Sequence, residues 1–322
     1  MNIKKVGLTA LAGSLVAASA YAGEMSVAGS ASLNVEHTNG GAASTGKTFS
    51  MGNQLTFSGS GELDNGLTVS LSFVLDQNDD ATLASGNTKS ENNGTPFDSH
   101  SVSISSDSLG TLKFSGEGGS SATSAADTTA AGDIWDNFDG ATTVHPTGVG
   151  TGDNMMMYTT PAIMDGLSIS ASYLPNALAK DTAIGYSATY TGVDGLSISY
   201  GTGDGTDAAT SADALKASYA YGPVTVAYSN YEYDTTGTTS DDDTTSYKIS
   251  YTVSDEISVS YGSETVERPG KAEDGEYSSI SASYTAGGMT ITAAMQDAEN
   301  MDGTTTATQD RERWALSASF AF

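Results

Sequence analysis

From Met25 to the end of the chain, apolar and polar residues alternate with a period of two, in short segments separated by polar or turn-forming stretches. In residues 311–322, Trp314, Leu316, Ala318, Phe320 and Phe322 share one face. Arg311, Arg313, Ala315, Ser317 and Ser319 share the other. Successive strand side chains point to opposite faces, so the pattern predicts strands with different surroundings on their two sides. Met25, Val27, Ala31, Leu33 and Val35 mark a first apolar face, and Phe49, Met51, Leu55 and Phe57 a second. Leu67, Val69, Leu71, Phe73 and Leu75 form a third, after the tight-turn sequence Asp64, Asn65, Gly66. Val102 with Ile104, Leu112 with Phe114, and Met155 with Met157 mark three more.

The second half is more regular. Leu167, Ile169 and Tyr173 are echoed by Leu196, Ile198 and Tyr200, each set preceded by Asp-Gly. Strands through Ile184, Leu215, Val224, Tyr247, Ile257, Ile280 and Met289 follow, and the Trp314 segment closes the series. Short turns (Asp-Gly, Gly222 with Pro223, Gly287 with Gly288) alternate throughout with long loops rich in Thr, Ser, Gly and Asp. The expected fold is all-β: a transmembrane antiparallel up-and-down β-barrel of about 16 strands, with short turns on one rim and long loops on the other. Tyrosine supports it. With both termini on the short-turn rim, Tyr190, Tyr221, Tyr251 and Tyr284 fall near that rim, and Tyr173, Tyr200, Tyr228 and Tyr261 towards the other. All eight keep the apolar parity, as aromatic girdles at two membrane interfaces would.

Composition narrows the picture. Only 38% of residues are hydrophobic, which suits a barrel whose strands are apolar on one side only. There is no cysteine, hence no disulfide framework and no thiolate chemistry. A net charge of −27 excludes the basic footprint that nucleic acid requires. Lys4 and Lys5, an apolar run to Ala18 and the small residues Ala20 and Ala22 read as a secretory leader over residues 1–22, with the barrel over 23–322. No later apolar run approaches the roughly 18 residues of a membrane-spanning helix.

The whole segment after the leader resembles the trimeric general porins of Gram-negative outer membranes. The terminal Phe322 is similar to the last aromatic of outer-membrane barrels, where it belongs to the assembly signal. Leu109, Gly110, Thr111, Leu112, Lys113, Phe114, Ser115 and Gly116 are similar to the turn and strand that precede the pore-narrowing third loop of that family. The resemblance implies a homotrimer in the outer membrane, handled by barrel-assembly machinery and surrounded by lipid and lipopolysaccharide. It also implies that the long third loop folds into the pore, with Ile134, Trp135 and Phe138 packed on the wall. The loop would then place Asp127, Asp133, Asp136 and Asp139 at a constriction. Strand parity turns Lys113, Lys216, Lys248, Arg311 and Arg313 inward, and the same count puts Glu117 on the pore wall. An acidic loop opposite a basic wall would set a transverse field across a water-filled gap.

Catalysis finds no support. His37, His100 and His145 belong to no triad or metal-ligand spacing, and the Gly-rich segments lack a strand-to-helix context. Asp241, Asp242 and Asp243 could attract Ca²⁺ weakly, although an acidic run of this kind is ordinarily a solvated loop tip; no other cofactor is expected. The expected function is passive diffusion of small hydrophilic solutes and ions with a modest cation preference. Its rivals are a substrate-specific outer-membrane channel and an exported structural or adhesive β-protein with acidic loops.

Overall fold

The computed structural model describes residues 25–40, 47–77, 98–138, 149–175, 182–205, 210–235, 241–301, 303–304 and 310–322. The leader reading and Asp139 lie outside these. The strands are β1 (Met25–Asn39), β2 (Thr48–Glu62), β3 (Thr68–Gln77), β4 (Ser99–Ser106), β5 (Gly110–Glu117), β6 (Met155–Thr159), β7 (Leu167–Leu174) and β8 (Ala183–Tyr190). They continue as β9 (Leu196–Asp204), β10 (Ser211–Tyr221), β11 (Val224–Asp234), β12 (Asp242–Thr252), β13 (Ile257–Glu267), β14 (Gly275–Ala286), β15 (Met289–Glu299) and β16 (Arg311–Ala321). Each pairs with its sequence neighbours, and β16 returns to β1, giving a closed barrel. Closure leaves no edge with unpaired backbone groups, the condition for crossing lipid with strands.

The burial pattern is inside out. Val27, Leu33, Met51, Leu71, Ile249, Leu316 and Phe320 are exposed on the outer face. The lumen face is mostly Ser and Thr, with hydroxyl pairs such as Ser260 with Ser281 (2.9 Å) and Ser283 with Thr292 (3.1 Å) bridging adjacent strands. The eight girdle tyrosines keep the apolar parity of strands β7 to β14. The Tyr200 hydroxyl donates to Asp213 Oδ1 (2.5 Å), marking where the apolar band gives way to carboxylates. No outer tyrosine occurs on β15, β16 or β1 to β5.

Two contacts seal the barrel. The first joins its two ends: Gly29 N donates to Phe322 O (2.7 Å), and Phe322 N to Gly29 O (2.9 Å). The second is on the lumen side, where Arg313 of β16 forms an ion pair with Glu36 of β1 and also donates to Gln296 of β15.

One expected site residue moves. Ser101 pairs with Ser115, but His100 pairs with Glu117, so a bulge at Gly116 inserts one extra residue into β5. An extra residue reverses the parity beyond it. Glu117 therefore shares the outer face with Val102 and His100, whose Nδ1 lies 3.8 Å from its carboxylate. The expected place on the pore wall is corrected.

Candidate pore constriction

Residues 118–138, the described part of the segment that follows β5, lie inside the barrel on the wall made by β7 to β15. They contain two single 3₁₀ turns, Ala122–Ala125 and Ile134–Asn137, which period-two reading does not detect. The first contacts β7, β8 and β9, and the second β13 and β14. Lumen-facing hydroxyls accept the loop's backbone donors: Ala122 N to Ser172 Oγ (2.9 Å), Ala130 N to Ser229 Oγ (2.8 Å), Ala131 N to Ser246 Oγ (3.0 Å). These supply partners that an irregular backbone away from water would otherwise lack.

Glu264 on β13 is the strongest strap. Fully buried, it accepts hydrogen bonds from the Thr129 hydroxyl and from Trp135 N (3.1 Å). Thr129 Oγ1 in turn accepts from Asp133 N (2.6 Å) and Gly132 N (3.1 Å), while Asp133 Oδ1 accepts from Thr129 N (2.9 Å). This local network holds Asp133 in a left-handed conformation (φ 54°), which short polar side chains tolerate better than most. Hydrogen bonds to a charged group contribute roughly 1.5–3 kcal/mol each. Below, Ile134, Trp135 and Phe138 pack with Val266, Tyr277, Ala298 and Met301, as the resemblance implied for the aromatics. The wall also makes room: a Cβ on Gly262 would stand 2.7 Å from that of Ala131. Sequence reading singled out neither Glu264 nor Gly262. Glu264 showed itself only as an acid at inward parity, and Gly262 as a strand glycine, a known sign of close backbone approach.

The charges do not divide into a loop and an opposite wall. Asp127 and Asp133 are half-buried and face Lys216, on the wall to which the loop is strapped, with Lys248 next to it. Burial pushes the carboxyls of both aspartates above the ordinary aspartate range, and the Lys216 ammonium partly offsets this. Asp136 alone of the three described loop aspartates is exposed. Across the lumen on β5, Lys113 makes no ion pair among the described residues. Arg313 is neutralised in the seam. Arg311 is buried at the long-loop end of β16, where it pairs with Ala298, one of the residues packed under the loop.

The acidic run is also different from expectation. Asp242 is buried in β12 and paired with Arg268 (2.7 Å). Asp243 Oδ1 accepts from Asn230 (2.7 Å), and Asp241 Oδ1 from Thr235 N (2.9 Å). Three carboxylates with three separate partners do not converge, and no metal-ligating group forms among the described residues.

The model of a family described as Gram-negative porin matches residues 7–276. A triply substituted porin of Rhodopseudomonas blastica superposes with TM-score 0.66 at 15% identity, over 93% of this chain and 100% of that one. A loop-deleted form of OmpT, an outer membrane protein of Vibrio cholerae, superposes with TM-score 0.63 at 16% identity, over 92% and 99%. No curated protein matches the sequence.

Proposed function

This chain belongs to the Gram-negative porins, outer-membrane channels rather than catalysts, and from that premise we propose that it passes small hydrophilic solutes and ions passively, with a modest preference for cations. What carries the reading is the strapped loop. Its described part lies against β7 to β15 inside a hydroxyl-lined lumen, as a loop that narrows a pore would. The cation preference rests on charge order. At the long-loop rim, Glu232, Asp234, Asp243 and Glu267, on the outer parity of β11 to β13, line a cavity of about 490 Å³ together with Asp241, Asp274 and the Asp242–Arg268 pair. Such charges act within a Debye length of about 8–10 Å, enriching cations before entry. At the narrow zone Asp127 and Asp133 face Lys216, with Lys248 next to it, while Asp136 is exposed and Lys113 stands on β5 without an ion pair among the described residues.

Planar-bilayer recording of the purified protein tests this. Steady ohmic steps, with a reversal potential of cation-selective sign in a dilute potassium chloride gradient, are expected. Absence of conductance overturns the channel reading, and an anion-selective sign overturns the charge argument.

We further infer that the protein works as a homotrimer. The outer face of β15, β16 and β1 to β5 lacks tyrosine, the residue that marks membrane interfaces on the rest of the barrel. Copies of the chain would cover it. Gly29 on this face is covered by Phe322 of its own chain, so the inference rests on the missing tyrosines.

A further inference from the structure

Ser229, Ser246, Glu264 and Tyr277 stand directly opposite one another on β11, β12, β13 and β14, forming one lumen-facing row across the wall. The loop follows this row station by station. Ala130 N donates to Ser229, Ala131 N to Ser246 and Trp135 N to Glu264, and the ring of Phe138 stands 6.1 Å from that of Tyr277. Serine carries no group that titrates near neutrality, and tyrosine ionises only at about pH 10. Glu264 is therefore the station whose charge an acidic medium can change.

Its hydrogen bonds require the ionised form. Thr129 Oγ1 accepts from Gly132 N and Asp133 N, which engages both of its lone pairs and leaves its O–H to donate to Glu264 Oε1. Trp135 N donates to Oε2, and Ile134 N also faces the carboxylate. A proton on Oε2 would oppose Trp135 N–H, and a proton on Oε1 would meet an oxygen with no free lone pair. Either way one strap is lost. No cation takes its place: Lys248 stands diagonally on β12, opposite Gly262, and forms no ion pair with Glu264 among the described residues. Its other titratable neighbours are Asp133 of the loop, charged alike, and Tyr277 of β14. We propose that Glu264 is an acid-sensitive latch: ionised, it holds the turn around Trp135 on β13, and protonated, it releases that turn into the lumen.

Trp135 reports the release, because its side chain is buried while the turn is held. The second tryptophan, Trp314, stands beside His37, whose own titration would alter its emission, so Trp314→Phe supplies the background. Fluorescence of this full-length protein in detergent is followed from neutral pH to about pH 4, the ordinary glutamate range. It needs no conductance and stands or falls apart from the channel reading. A red shift and a gain in acrylamide quenching are expected as pH falls, both reversed on return to neutral pH. Glu264→Gln should show the shifted, quenchable emission already at neutral pH, with no further step. Asp127→Asn with Asp133→Asn keeps Glu264 and should retain the step; it remains informative if Glu264→Gln does not assemble. Emission unchanged by acid, a step that persists in Glu264→Gln, or its loss in the double aspartate variant would each overturn the proposal.

Discussion

The ring of Phe322 lies over Gly29: a Cβ built on Gly29 would fall among the ring carbons. The last residue of the chain and the fifth of β1 are thus one contact, in which absence of a side chain at one end admits an aromatic at the other. Two backbone hydrogen bonds reinforce it.

Gly29→Ala should therefore push the ring from its seat. A lower unfolding temperature in detergent and less folded protein in the outer membrane are expected. Deleting Phe322 should lower outer-membrane levels more sharply. Wild-type levels in both variants would mean that the seam is not where assembly is decided.

Glu264→Ala removes the acceptor of Thr129 and Trp135 N and leaves two buried donors unpaired. The loop should loosen, seen as greater open-channel noise and a changed unitary conductance. Gly262→Val should act in the same direction by pressing on Ala131. If both variants give quiet steps of wild-type size, the straps do not hold the loop.

Selectivity should follow exposure. Asp136→Asn is expected to weaken cation preference more than Asp133→Asn, whose charge faces Lys216. Together they should weaken it further. Lys113→Ala and Lys248→Ala should strengthen it. Arg313→Ala should strengthen it too, because it releases Glu36 into the lumen, and should also lower thermal stability by opening the seam. Reversal potentials in a dilute salt gradient rank the set.

The buried aspartates set the pH dependence. Asp127 and Asp133 take up protons at higher pH than the free value of about 3.9. Cation preference should thus begin to fall while ordinary aspartates are still charged. Since the folded state binds these protons more tightly, their contribution to stability falls as pH rises from that free value through the raised one. Asp127→Asn with Asp133→Asn should remove this early step in a reversal-potential titration. Its persistence would assign the step to other groups.

Unheated detergent gels should show a band near three times the chain mass that collapses on boiling. Light scattering of a monomer in mild detergent would contradict the tyrosine-free face as a subunit contact.

Barrel, strand number, loop order and the inward set of lysines were legible because side-chain parity is a local property, read from neighbours two residues apart. Phe322 could be suspected for the same reason, as the end of an alternating run. Parity failed where the chain left its period. The bulge at Gly116 carries Glu117 outward; a strand glycine is a sign of a bulge, but the period-two count ran through it. The 3₁₀ turns around Ala122 and Ile134 were invisible for a similar reason, since the loop takes its shape from wall hydroxyls that lie far away in sequence.

Sequence alone determined which face of most strands meets lipid and which meets water, because each strand must present one face to each solvent. On β6 the structure reverses the reading, turning Met156 and Tyr158 outward rather than Met155 and Met157. Only the tertiary structure decided which charges meet. Asp133 finds Lys216, Arg313 finds Glu36, and Nε and Nη1 of Arg311 find no partner among the described residues, since these distances depend on strand register, on closure, and on where the loop comes to rest.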